Sequence, residues 1–98
     1  VAEVRWTPQA ADDLKAIAEF VGKDSPHFAS LFMLDVFAAV ERLENFPESD
    51  RIVPQKNEPN IQELILGNYR IIYRLRDDLA ELLTIHHGAR LLDPNQLG

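Results

Sequence analysis

The chain has 98 residues, of which 46% are hydrophobic and 27% charged, with a net charge of −6 and no cysteine. That composition suits one globular domain with a modest core. It excludes disulfides and thiolate-based metal or nucleophile chemistry. It also speaks against sequence-independent nucleic-acid binding, whose affinity comes from lysine and arginine on phosphate.

No apolar run approaches the roughly 20 residues of a bilayer span, and no leader pattern is visible. The expectation is therefore a single cytoplasmic domain over residues 1–98, with no membrane partner. The charge is uneven. Residues 1–50 hold four Lys/Arg and ten Asp/Glu, whereas residues 51–98 hold six of each. A local basic face on an acidic protein is compatible with this split.

Val1 to Trp6 reads as a first strand, with Trp6 a core residue. Thr7-Pro8 is a helix start: a hydroxyl cap, then proline at the first helical position. Ala10, Leu14, Ile17 and Val21 recur at steps of four, three and four, so the first helix runs to about Val21 and buries that stripe. Asp12 and Asp13 are placed in its first turn, where the helix dipole favours negative charge. Gly22 lies close to the expected stop, with an extension through Lys23 as the alternative.

Asp24-Ser25-Pro26 starts a second helix, from Pro26 to about Phe46, with Phe32, Val36, Val40 and Leu43 as its inner stripe. Leu31, Met33, Leu34 and Phe37 are apolar as well. A helix apolar round so much of its circumference is deeply buried or faces another chain. Pro47 to Asn60 reads as an irregular or edge segment.

Ile61 to Leu66 is a strand. Gly67-Asn68 suits a two-residue type II′ turn, and Tyr69 to Arg76 follows as the next strand. In that strand Tyr69, Ile71, Tyr73 and Leu75 alternate with Arg70, Ile72, Arg74 and Arg76, so one face is core and the other carries three arginines. Those arginines are expected to meet solvent, acidic groups or a polyanion. Asp77-Asp78 is a polar turn, Leu79 to His87 the last strand, and Leu91 to Gly98 an irregular tail.

The first hairpin sets a register of Leu66 with Tyr69, Leu64 with Ile71, Ile65 with Arg70 and Ile61 with Arg74. Carried through the second turn, it puts Arg74 opposite Glu81 and Arg70 opposite Ile85. His87 then lies on the arginine face and His86 on the core face near Tyr69. A one-residue slip exchanges the two histidines. Adjacent strand residues point to opposite faces, so His86 and His87 cannot chelate one metal, and neither a metal nor a cofactor is expected.

Several pieces in this order resemble the RelE/ParE superfamily of bacterial type II toxins: Trp6-Thr7-Pro8 with Ala10 and Asp13-Leu14; Leu43 with Pro47; Arg51 with Val53-Pro54; Tyr69-Arg70-Ile71-Ile72-Tyr73; and His87-Gly88-Ala89-Arg90. The resemblance implies an α+β fold, with an N-terminal strand, an antiparallel two-helix hairpin and a three-stranded antiparallel meander forming one small sheet. It also implies a cognate antitoxin and a hetero-oligomer with it.

Members of the superfamily that resemble ParE poison DNA gyrase, whereas RelE-type members cleave mRNA on the ribosome. The missing lysine cluster, the acidic balance and the apolar helical hairpin resemble the ParE branch, a growth inhibitor serving plasmid stabilisation. On that reading Leu31, Met33, Leu34, Phe37, Arg70, Arg74 and Arg90 would contact antitoxin or target. On the RelE reading Arg70 would stabilise phosphate charge and His87 would move a proton. A third reading is a degenerate toxin that retains only antitoxin binding.

Overall fold

The structure, a computed structural model, describes residues 2–47, 51–52 and 60–88. Arg90, the tail and Val53-Pro54, for which expectations are given above, lie outside those residues.

The chain forms β1 (Glu3–Trp6), α1 (Pro8–Asp24), α2 (Pro26–Asn45), β2 (Arg51–Ile52), β3 (Ile61–Leu66), β4 (Tyr69–Arg76) and β5 (Leu79–His87). The strands make one sheet in the order β1-β5-β4-β3-β2. The predicted meander β3-β4-β5 is its antiparallel centre. β1 returns to pair in parallel with β5, Glu3 opposite Leu79 and Trp6 opposite Leu82.

Both helices start as the capping signals dictate. The Thr7 hydroxyl accepts the Ala10 N–H, the Ser25 hydroxyl accepts the Phe28 N–H, and proline follows each cap. Thr7 also ties the helix to the sheet, because its hydroxyl donates to the Leu82 carbonyl at 2.7 Å. α1 runs to Asp24, two residues past Gly22. Gly22 is helical and faces α2, where an added Cβ would sit in ordinary contact, 3.5 Å from the Cβ of Ala29. Pro8 opens the helix, so Asp12 and Asp13 lie in its second turn rather than its first, and no acidic residue sits in the first turn.

The helical hairpin packs on one face of the sheet. Ala10 and Leu14 of α1 and Val36, Ala39 and Leu43 of α2 meet Leu64, Ile71, Tyr73, Ala80, Leu82 and Ile85. Trp6, Ile17, Phe32, Met33 and Val40 pack around that cluster. The Tyr73 hydroxyl is satisfied inside it, 2.8 Å from the Pro47 carbonyl and 2.9 Å from Gln62 Oε1. A second, smaller cluster of Ile61, Ile72 and Leu83 lies on the opposite face.

The β3–β4 register is the predicted one throughout. Gly67 has φ +59°, and Asn68 is not in the left-handed region, as a type II′ turn requires. The β4–β5 register starts as predicted, with Arg74 opposite Glu81, and then breaks. Tyr73 faces Leu82 but Ile72 faces Thr84, so Leu83 is an extra residue in a β-bulge. Beyond the bulge Arg70 faces His86, and Tyr69 faces His87.

Candidate functional site

The sheet face away from the helices is unlike the expected arginine-striped surface. Arg70 and Arg74 are buried, as is Glu63; only Arg76 is exposed. A guanidinium loses far more hydration than a peptide group on burial, so it is tolerated only with a carboxylate in contact. Arg70 Nη1 donates to Glu63 Oε2 at 2.9 Å, and both side chains are almost wholly removed from solvent. Arg74 Nη1 lies 3.6 Å from Glu81 Oε1, whose side chain is partly exposed. Of the three expected destinations, solvent, acidic groups or a polyanion, Arg70 and Arg74 thus meet acidic groups within the sheet.

The bulge also corrects the histidines. His87 was expected beside Arg70 on the arginine face. The extra residue turns the strand by one position, so His86 is the buried histidine opposite Arg70. His87 is exposed and stacks edge-on against Tyr69, with ring centroids 5.4 Å apart. Phe32 of α2 meets the other side of Tyr69 at 5.1 Å. Arg70, Tyr69, Asn68 and His87 still line one shallow depression of about 320 Å³ at the hairpin end of the sheet. There Gly88 lets the backbones close: its N–H donates to the Asn68 carbonyl, and an added Cβ would stand 3.0 Å from that oxygen.

What holds the bulge was not read from the sequence. One oxygen of Asp13 accepts both the Thr84 hydroxyl and the Ile85 N–H, at 3.0 Å for the latter. β1 ends opposite Leu82, so the edge of β5 beyond it needs other partners. The Thr7 hydroxyl and the Asp13 carboxylate supply them. Asp13 is thus a link between helix and sheet rather than a dipole residue. The sequence signal for this was a carboxylate one turn past a Thr-Pro cap, whose local partner Gln9 bonds only its other oxygen, at 2.7 Å.

The helical hairpin presents the opposite chemistry. Leu31, Leu34 and Phe37 are exposed on α2, Leu34 by 64%, and Phe28 and Phe20 stand out with them. Met33 is the exception among the four predicted contact residues, for it packs against the core. His27 is exposed, with its ring 6.0 Å from Phe28. Among the described residues no group of three or more potential metal ligands converges, and no helix is long and apolar enough to cross a membrane.

Residues 4–92 match the family model for the ParE toxin of the type II toxin–antitoxin system parDE. The chain belongs to the ParE toxin family. A related protein, toxin RelE2 of Caulobacter vibrioides, is 34% identical over 92 residues, covering 93% of this chain and all of that one.

Two solved structures share the fold of this ParE-family toxin. A chain of the chromosomal ParDE toxin–antitoxin system of P. aeruginosa superposes with a TM-score of 0.71 at 24% identity, covering 88% of this chain and 95% of that one. A chain of the toxin–antitoxin complex RelBE2 of Mycobacterium tuberculosis gives 0.57 at 22% identity, covering 88% and 96%. The α+β architecture expected from the sequence is the one these neighbours have. The chain is a type II toxin of the ParE/RelE superfamily.

Proposed function

We propose that this toxin acts in the cytoplasm by binding, that it arrests growth by poisoning DNA gyrase, and that a cognate antitoxin neutralises it in a plasmid-stabilisation module. The observation that carries this reading is the contrast between the two surfaces. Arg70 and Arg74, the cations a phosphate-handling site would use, are buried against Glu63 and Glu81. Leu31, Leu34 and Phe37 stand exposed on α2, where a protein partner can cover them. Catalysis of RNA cleavage asks for a cation and a proton-transfer group presented together to solvent. Here Glu63 holds the guanidinium of Arg70, and His87 stacks on Tyr69.

Two observations favour the second reading, a ribosome-dependent endoribonuclease. Tyr69, Arg70 and His87 line one depression, and a relative at 34% identity is named RelE2. Expression in cells separates the two. Accumulation of cleaved DNA–gyrase complexes supports the binding toxin. Ribosome-dependent cutting of mRNA by the purified protein, lost in His87→Ala, overturns it. Growth unaffected by expression, with antitoxin binding kept, would leave a degenerate toxin.

A further inference from the structure

β5 leaves the cover of β1 at Leu82 and runs on beside α1. Thr7 meets Leu82 and Asp13 meets Ile85, so helix and strand advance in the same sense. Asp13, Ile17 and Phe20 follow at helical steps of four and three, which puts them on one stripe of α1. With Tyr69, Ile85 and His87 they line a cavity of about 480 Å³. That volume falls in the range of small-molecule sites.

The acceptors in this cavity are unevenly used. Asp13 Oδ2 accepts both the Thr84 hydroxyl and the Ile85 N–H, whereas Oδ1 accepts the Gln9 amide at 2.7 Å. Each oxygen of a carboxylate offers about two acceptor sites, so Oδ1 can take one more donor. The Ile85 N–H points to the outer edge of β5, and the C=O of the same strand residue points the same way. Among the described residues that line the cavity there is one carboxylate and neither lysine nor arginine. Two turns beyond Asp13, Phe20 is 63% exposed, toward the end where Tyr69 and His87 meet edge-on.

We propose that this cavity binds a small primary amine. Its ammonium group donates to Asp13 Oδ1 and to the Ile85 carbonyl, and its apolar or aromatic body lies along Ile17 against Phe20. An ammonium suits a single remaining acceptor site, because it is a point donor; a guanidinium fork needs both oxygens of the carboxylate. The ring of Phe20 gains cover from the body of the ligand and attracts its charge. A net charge of −6 also draws cations to the protein. The site lies on α1 and β5, apart from the exposed apolar residues of α2, so it goes beyond the proposed binding role and does not depend on it.

The test is titration of the isotope-labelled full chain with 2-phenylethylamine, followed by amide shifts in NMR spectra. The amides of Ile17, Phe20 and Ile85 are expected to move together and saturate, with a dissociation constant of about 1 mM or tighter. The uncharged analogue 2-phenylethanol should bind at least about tenfold more weakly. Asp13→Asn keeps an acceptor for Thr84 and Ile85 but removes the charge, and should weaken the amine by a similar factor while the Ile85 amide still exchanges slowly. Phe20→Ala, at an exposed position, should weaken it roughly three- to fivefold.

Absence of a saturable shift at these amides, up to about ten times that concentration, overturns the site. Equal affinity for 2-phenylethanol, or unchanged affinity in Asp13→Asn, overturns recognition of a cation. Tighter binding of a guanidinium probe, agmatine, overturns the ammonium assignment. Should Asp13→Asn disturb the fold, the comparison of amine and alcohol on the wild-type chain decides alone.

Discussion

The outer surface of α2 and the second face of the sheet invert the usual placement of side chains. On α2, Leu31, Leu34 and Phe37 are in water. On the sheet, Glu63, Arg70 and Arg74 are out of it. Exposed apolar area is a standing cost that covering by another chain would remove. A buried ion pair is close to neutral while both partners are present, and is strongly destabilising when one is lost. The two regions therefore play different parts. The arginines hold a face of the sheet together, and the leucines and phenylalanine are available to meet something.

Substitutions can break that contrast, and the buried pair should respond most. Arg70→Ala leaves Glu63 charged and buried without its 2.9 Å partner, and should cost about 3–5 kcal/mol in urea unfolding. Glu63→Leu with Arg70→Met should recover most of the loss, since an apolar pair of similar volume has no desolvation to offset. If Arg70→Ala unfolds at the wild-type midpoint, the structural role assigned to Arg70 is wrong. Because of this cost, loss of toxicity in Arg70→Ala alone says nothing about catalysis.

Asp13→Ala strips the Ile85 N–H and the Thr84 hydroxyl of their shared acceptor. It should lower stability by about 1–3 kcal/mol and speed exchange of the Ile85 amide. Arg74→Ala removes a longer, partly exposed pair, so about 1 kcal/mol is expected from the unfolding midpoint.

Leu34→Ser should sit at the small end, within about 0.5 kcal/mol in the free chain, yet impair growth arrest or antitoxin binding. An unfolding penalty as large as that of Arg70→Ala would place Leu34 in the core and erase the contrast.

Much of this was legible from local chemistry. Thr7-Pro8 and Ser25-Pro26 announce the helices, and the period-two runs announce β3, β4 and β5. Gly67-Asn68 fixes the whole β3–β4 register, because a two-residue turn leaves no freedom in which residues face each other. The exposed members of α2 were legible too, since a helix apolar on all sides cannot bury every side chain in a domain of this size.

The remaining features depend on residues far apart in sequence. The bulge that brings His86 opposite Arg70 is held by Asp13, some seventy positions away. The parallel return of β1 onto β5 has no signature in either strand. The arginine stripe was visible, but the alternating pattern cannot distinguish a solvated charged face from a buried one that is internally neutralised. Glu63, diagonal to both Arg70 and Arg74, was the clue that pairing was available.

The most direct test of the central claim is the His87→Ala toxin expressed beside wild type, with growth, cleaved DNA–gyrase complexes and mRNA integrity followed together. His87 is exposed and outside the core, so its loss leaves the fold intact. Growth arrest with cleaved DNA–gyrase complexes undiminished in His87→Ala is the predicted result. Arrest abolished in that variant, together with ribosome-dependent mRNA cleavage seen only in wild type, would contradict a toxin that acts by binding.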